Sequence, residues 1–178
     1  MIHHLSRGQK QPGFTIVELL IVIVVIGILA AITIVAFNGV QDKAKFAQKR
    51  SDVAALQKYV EMYKAENGTY PSTSGNWQFQ RVQGDAFIPG LVPKYAAKLP
   101  MITDGPTPAA NTNNTYAYRS NGTDYKIIRF NATAEGGISD SEWAQVPNSM
   151  KDDSFYLNNI RDRWGVWSGP TPGTGYNY

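Results

Sequence analysis

The sequence predicts an α+β protein: one long N-terminal helix, membrane-spanning over its first half, packed against a small antiparallel β-sheet. Three observations carry this expectation. The run from Phe14 to Phe37 holds a single charged residue, Glu18. Past it, Phe46, Val53, Leu56, Val60 and Tyr63 recur at intervals of seven, three, four and three, which places them on one face of a helix. Finally, Asn121-Gly122 separates two runs rich in Tyr and Ile, a hairpin signal.

The chain opens with a basic leader, residues 1–13, carrying Arg7 and Lys10 and no acid. Residues 14–37 follow as an apolar segment of about 24 residues, about 36 Å as an α-helix and enough to cross a bilayer. The segment is apolar on every side, unlike the one-faced helix of a soluble core. A secretory signal peptide fits poorly, because its apolar core has roughly 7–15 residues and this run continues past the small-residue motif Ala30-Ala31-Ile32. The segment is therefore expected to be retained. Flanking charge does not orient it: Arg7 and Lys10 on one side face Lys43, Lys45, Lys49 and Arg50, offset by Asp42 and Asp52, on the other.

Glu18 needs its own account. A charged carboxylate within a membrane helix costs about 2.5–3.5 kcal/mol on insertion scales, and a nearby cation would offset it. Cleavage after Gly13 would free the α-amine of Phe14, four residues from Glu18 and on the same helix face. The helix dipole also favours a carboxylate in this first turn. These residues, "G/FTIVELLIVIVVIGILAAI", resemble the processing site and N-terminal helix of type IV prepilins and pseudopilins. The resemblance implies a type IV pilin-like fold, cleavage between Gly13 and Phe14 by a prepilin peptidase on the cytoplasmic side, N-methylation of Phe14, and an N-in, C-out orientation. It further implies a subunit-assembly role for Glu18 and Phe14, the glutamate of one subunit neutralising the N-terminal amine of its neighbour in a filament. The alternative for Glu18 is a polar residue that snorkels to the membrane interface. Where many family members carry a helix-bending Pro eight residues after the glycine equivalent to Gly27, this chain has Val35, so Gly27 and Gly39 are the remaining weak points of the helix.

Residues 38–66 form the amphipathic half, with Lys49, Asp52, Lys58, Glu61 and Lys64 expected on its other faces. One helix is expected from Phe14 to about Glu66, with two helices broken near Asn38-Gly39 as the alternative. Asn67-Gly68 and Pro71 stop it. "ENGTYP", Glu66 to Pro71, resembles the end of this helix in pilins and major pseudopilins. "LVPKYAAKLP", Leu91 to Pro100, is similar to the pseudopilin segment in which a Pro-Lys-Tyr turn leads to a short helix.

The globular head, residues 67–178, contains an αβ-loop, the sheet and a C-terminal region. Trp77, Phe79, Val82, Phe87, Ile88 and Leu91 are expected to cover the helix as core. Asp104–Thr115 reads as a surface loop. Strands are expected at Thr115–Ser120 and Asp124–Asn131, joined by a turn with φ > 0 at both Asn121 and Gly122, with Trp164–Gly169 as a third. Asp140, Glu142, Asp152, Asp153 and Asp162 read as a solvated acidic loop. The alternative is a calcium site, as in some pseudopilins with clustered C-terminal carboxylates, but EF-hand spacing is absent. The tail repeats the Gly-Pro-Thr-Pro of residues 105–108, and Asn67, Asn113, Asn121 and Asn131 match the glycan-acceptor pattern, which chance accounts for in so Asn- and Thr-rich a chain.

Among 178 residues there is no Cys, and both histidines, His3 and His4, lie in the leader. Disulfides, thiolate sites and Cys nucleophiles are excluded, and Ser/His/Asp chemistry has no base in the body of the chain. No catalytic residue, metal ligand or cofactor is assigned. A net charge of +3 permits a nucleic-acid partner without supporting one. The first functional reading is a type IV pilin: it waits in the cytoplasmic membrane, then polymerises into an extracellular helical filament for adhesion, twitching motility or DNA uptake. Its implied partners are other copies of itself, the prepilin peptidase, an assembly ATPase and a membrane platform protein. The second is a pseudopilin or minor pilin of a type II secretion or competence system; long Gly- and Thr-rich head loops favour the first. A third, a membrane-anchored enzyme or carbohydrate-binding protein, rests on Trp164, Trp167, Tyr176 and Tyr178, aromatics better read as packing.

Overall fold

The computed structural model describes residues 13–102, 113–131, 138–152 and 161–169. The leader ahead of Gly13, most of the loop that begins at Asp104, Asp153, and the tail with Tyr176 and Tyr178 lie outside the described residues. The elements run α1 (Ile16–Asn67), β1 (Gln78–Phe79), α2 (Gln80–Gln83), a 3-10 turn (Gly84–Phe87), β2 (Thr115–Ser120), β3 (Tyr125–Phe130), α3 (Asp140–Gln145), a second 3-10 turn (Asn148–Met150) and β4 (Arg163–Trp167). The chain divides into two compact units, residues 1–41 and 42–178.

In the first unit, the large apolar residues from Ile16 to Ile34, and Phe37 and Val40 after them, are exposed around the helix. This follows from a sequence with no polar face: such a helix satisfies its own backbone but has no single side to turn toward a core. It is long and apolar enough to cross a membrane. The break considered at Asn38-Gly39 does not occur, since α1 is continuous to Asn67. It ends as its sequence requires, with Gly68 at φ +78° and its N–H donating to the Lys64 carbonyl at 2.8 Å.

In the second unit, four antiparallel strands form one sheet in the order β1-β2-β3-β4. Strand alternation sends Tyr116 and Tyr118 of β2, Tyr125 and Ile127 of β3, and Trp164 of β4 into the core with Phe46, Val53, Leu56 and Val60 of α1. Phe46 and Trp164 meet at 5.5 Å between ring centroids. Phenol hydroxyls reach past the apolar layer: Tyr116 donates to Asp52 at 2.7 Å and Tyr125 to Glu61 at 3.0 Å. Burial pushes the Tyr118 and Tyr125 phenols well above their usual range, and the Glu61 charge adds to the effect at Tyr125. Strand β4 comes so close to β3 that a Cβ on Gly165 would lie 1.9 Å from the Ile127 carbonyl oxygen.

Several expectations are corrected. β1, only two residues long, was not anticipated, nor was α3. The hairpin is not a two-residue turn with φ > 0 twice: only Gly122 is positive, at +93°. Asn121 instead uses its side-chain oxygen to accept the N–H groups of Thr123 and Asp124 at 2.9 and 2.8 Å, giving a four-residue loop. Phe87, Ile88 and Leu91 are core, but Val82 is 46% exposed. Trp77 and Phe79 lie along the sheet edge, because β1 pairs with β2; Phe79 meets Phe130 and Trp77 lies under Arg119. Pro93-Lys94-Tyr95 makes a turn with no helix after it. Its side chains are drawn to the end of α1, where Lys94 and Tyr95 both bind Glu66 and hold that carboxyl below its usual range.

Candidate assembly site

Gly13 and Phe14 precede the first helical turn in extended, exposed chain, Phe14 at 88% exposure. Thr15 and Glu18 close that turn reciprocally. The Thr15 N–H and hydroxyl donate to Glu18 Oε2 at 2.9 and 2.8 Å, and the Glu18 N–H donates back to Thr15 Oγ1 at 3.2 Å. This is a capping box, Thr-x-x-Glu. Its sequence signal is the Thr-x-x-Glu spacing from Thr15 to Glu18, which the charge of Glu18 alone does not reveal. Glu18 is exposed and has no cationic partner among the described residues. The expected pairing with the Phe14 amine belongs to a chain cut after Gly13, and in the uncut chain that nitrogen is an amide.

The acidic residues of the head behave differently from either expectation. Glu142 and Asp152 are buried, as is Asp162, and each binds a cation of this chain. Lys49 Nζ reaches Glu142 Oε2 at 2.8 Å, Trp164 Nε1 donates to Glu142 Oε1 at 2.9 Å, and Arg129 Nε stands 3.7 Å from the same oxygen. Asp152 pairs with Lys126 at 2.5 Å, Asp162 takes Arg163 in a two-pronged bond, and the exposed Asp140 pairs with Arg161. No group of three His, Cys, Asp or Glu side chains able to hold a metal ion occurs among the described residues. The correction extends to Lys49, expected on a polar face and 8% exposed. Its position was readable: three residues after Phe46 and four before Val53, it fills the gap of seven in the core stripe. Of the aromatics considered for sugar stacking, Trp164 is core and Trp167 is half-buried with Lys126 over its ring.

A prepilin-type N-terminus leading into a long helix, with the second half of that helix laid on a small antiparallel sheet, defines a pilin-like subunit. Residues 8–34 match the prokaryotic N-terminal methylation motif, and residues 36–143 match the family described as type II secretion system (T2SS), protein G. The chain belongs to that protein G family. It is 42% identical over 72 residues to the type II secretion system core protein G of Klebsiella michiganensis, covering 40% of this chain and 51% of that protein. The Escherichia coli K12 protein of the same name is 42% identical over 66 residues, 37% of this chain and 46% of that one. The Vibrio cholerae protein is 36% identical over 69 residues, 39% and 47% of the two chains. The chain thus spans about half the length of the curated relatives it matches. No solved structure matches it.

Proposed function

We propose that the chain is a filament-forming pseudopilin of a type II secretion system. The observation that carries this reading is the protein G match across residues 36–143, which takes in the amphipathic half of α1 and the head as far as Trp143. It outweighs the Gly- and Thr-rich loops that favoured a surface pilus subunit. On this reading a prepilin peptidase cuts between Gly13 and Phe14, Phe14 is N-methylated, and the chain waits in the inner membrane with residues 14–37 as its span. An ATPase-driven platform then moves it into a helical polymer. There Glu18 exchanges its Thr15 contacts for the Phe14 amine of a neighbour, a charged partner worth more to a carboxylate in an apolar bundle than neutral donors. The reading assigns no catalytic role.

Deleting the chain from its host tests the assignment. Export of folded enzymes to the medium is expected to stop while pilus-driven motility continues. Normal export with lost motility would contradict the secretion reading and restore the pilus one.

A further inference from the structure

The basic residues just past the apolar segment have unequal fates. Lys49 is taken into the head by Glu142. Lys43, Lys45 and Arg50 are exposed, and none has an ionic partner among the described residues. The acids of the same stretch are engaged elsewhere: Asp42 accepts from Ser141 at 3.1 Å, and Asp52 accepts from Tyr116 at 2.7 Å and Gln48 at 2.8 Å. Three exposed cations therefore stand in the stretch of α1 just past the apolar segment, with no ionic partner among the described residues.

Their depth points to the partner. The run of exposed large apolar residues that begins at Ile16 on α1 ends at Val40, and the next one, Met62, lies far beyond it. Along a helix, Lys43 and Lys45 follow Val40 by about 4.5 and 7.5 Å, and Arg50 by about 15 Å. Helical side chains lean toward the N-terminus, here the side of the apolar segment, so these long side chains reach back toward the headgroup layer. Under the N-in orientation of the proposed function, on which this inference rests, the three charges lie on the outer side of the membrane. That placement runs against the positive-inside bias. An anionic surface on that side would offset the cost.

We propose that Lys43, Lys45 and Arg50 form a collar that binds anionic phospholipid headgroups of the outer leaflet and holds the subunit there before assembly. Each cation near such a surface strengthens the contact about fivefold, so the three together act about a hundredfold at low salt. Lys43 and Lys45, closest to the apolar boundary, contribute most. Extraction into a polymer has to break this contact, which makes release dependent on lipid composition.

The absence of Cys makes the test clean. Ala47, exposed and lying between Lys43 and Arg50 on one helix stripe, becomes a unique spin-label site as Ala47→Cys. The full chain is reconstituted in vesicles of phosphatidylcholine alone, or of phosphatidylcholine with one part in four phosphatidylglycerol. The label is expected to be restrained only in the phosphatidylglycerol vesicles. It is expected to be freed at about 1 M salt, where the Debye length falls to about 3 Å, and by the combined Lys43→Gln, Lys45→Gln and Arg50→Gln substitutions. Equal mobility in both lipids overturns the proposal. So does restraint that arises only when filaments form, since the cations would then serve a neighbouring subunit. Processing at Gly13-Phe14, read by mass on the same cells, reports on the functional reading separately: unprocessed chain with intact lipid dependence would sink that reading and leave the collar standing.

Discussion

Thr15-Ile-Val-Glu18 and Ser139-Asp-Ser-Glu142 are two copies of one helix-start signal, a hydroxyl followed three residues later by a glutamate. At α1 the glutamate turns back and closes the box on Thr15. At α3 Ser139 still accepts the Glu142 N–H, at 3.2 Å, but the carboxylate leaves the cap and enters the core, where Lys49 and Trp164 meet it. The hydroxyl half of the signal is local and operates in both places. The carboxylate half goes where the better partner is, and a buried cation outcompetes a backbone N–H. Glu142 has its cation among the described residues, and Glu18 has none there. The first arrangement ties α1 to the head, and the second leaves an exposed charge that the proposed assembly role would pair with a neighbour.

The largest expected effect is at Glu142. Glu142→Gln leaves Lys49 charged and buried, and the full chain in detergent micelles is expected to lose about 3–5 kcal/mol of head stability by denaturant unfolding. The Lys49→Met, Glu142→Leu pair should recover part of it, since an apolar replacement removes that ion pair while Arg129 keeps its bond to Asn114 and Trp164 loses its acceptor. A single-variant loss under about 1 kcal/mol would mean that water reaches the pair and that the contrast with Glu18 is overdrawn.

Next comes the apolar packing of the two halves of α1. Leu56→Ala, within the core, is expected to cost about 2–5 kcal/mol in the same assay. Leu20→Ala, on an exposed apolar turn, is expected to leave head unfolding unchanged in micelles. Equal losses would show that residues 14–37 are part of one core with the head.

Glu18→Ala removes the two bonds that the Thr15 N–H and hydroxyl donate to the carboxylate and should leave membrane insertion and cleavage intact. Filaments are expected to fall to a trace, counted by electron microscopy of sheared material. Normal filament numbers would take the assembly role from Glu18.

The smallest effect is alkaline. Tyr118 and Tyr125 hold their protons more tightly folded than unfolded, so the folded head carries more protons through the phenol range. Stability contributed by these groups is whole below about pH 10 and is lost as pH rises through their raised values. Unfolding midpoints should therefore drop as pH rises above about 10, and less steeply in Tyr125→Phe. An unchanged slope in that variant would show that Tyr125 is not the source.

Much of this architecture was legible in advance because it rests on repeated local signals. The stripe from Phe46 to Tyr63 identifies the buried face of α1, Gly68 its end, and the Tyr- and Ile-rich runs place β2 and β3 within a residue. What escaped depends on distant partners. Gln78 and Phe79 have no pattern of their own and become a strand because β2 offers them an edge. Lys49 reads as surface until Glu142 arrives from 93 residues away. Glu142 and Asp152 look like part of a solvated loop for the same reason: their cations, Lys49, Arg129 and Lys126, lie elsewhere in the sequence. At the N-terminus the reverse holds. Phe14 and Glu18 stand out in the sequence, yet a lone chain does not contain the neighbour that their proposed role requires.

The mass of the amino terminus in assembled material addresses the account at its root. Filaments sheared from cells should yield chains that begin at Phe14 and carry one methyl group on its nitrogen. Polymer built from chains that retain Met1 to Gly13 would contradict it, since the Phe14 nitrogen would then be an amide and offer Glu18 no charge.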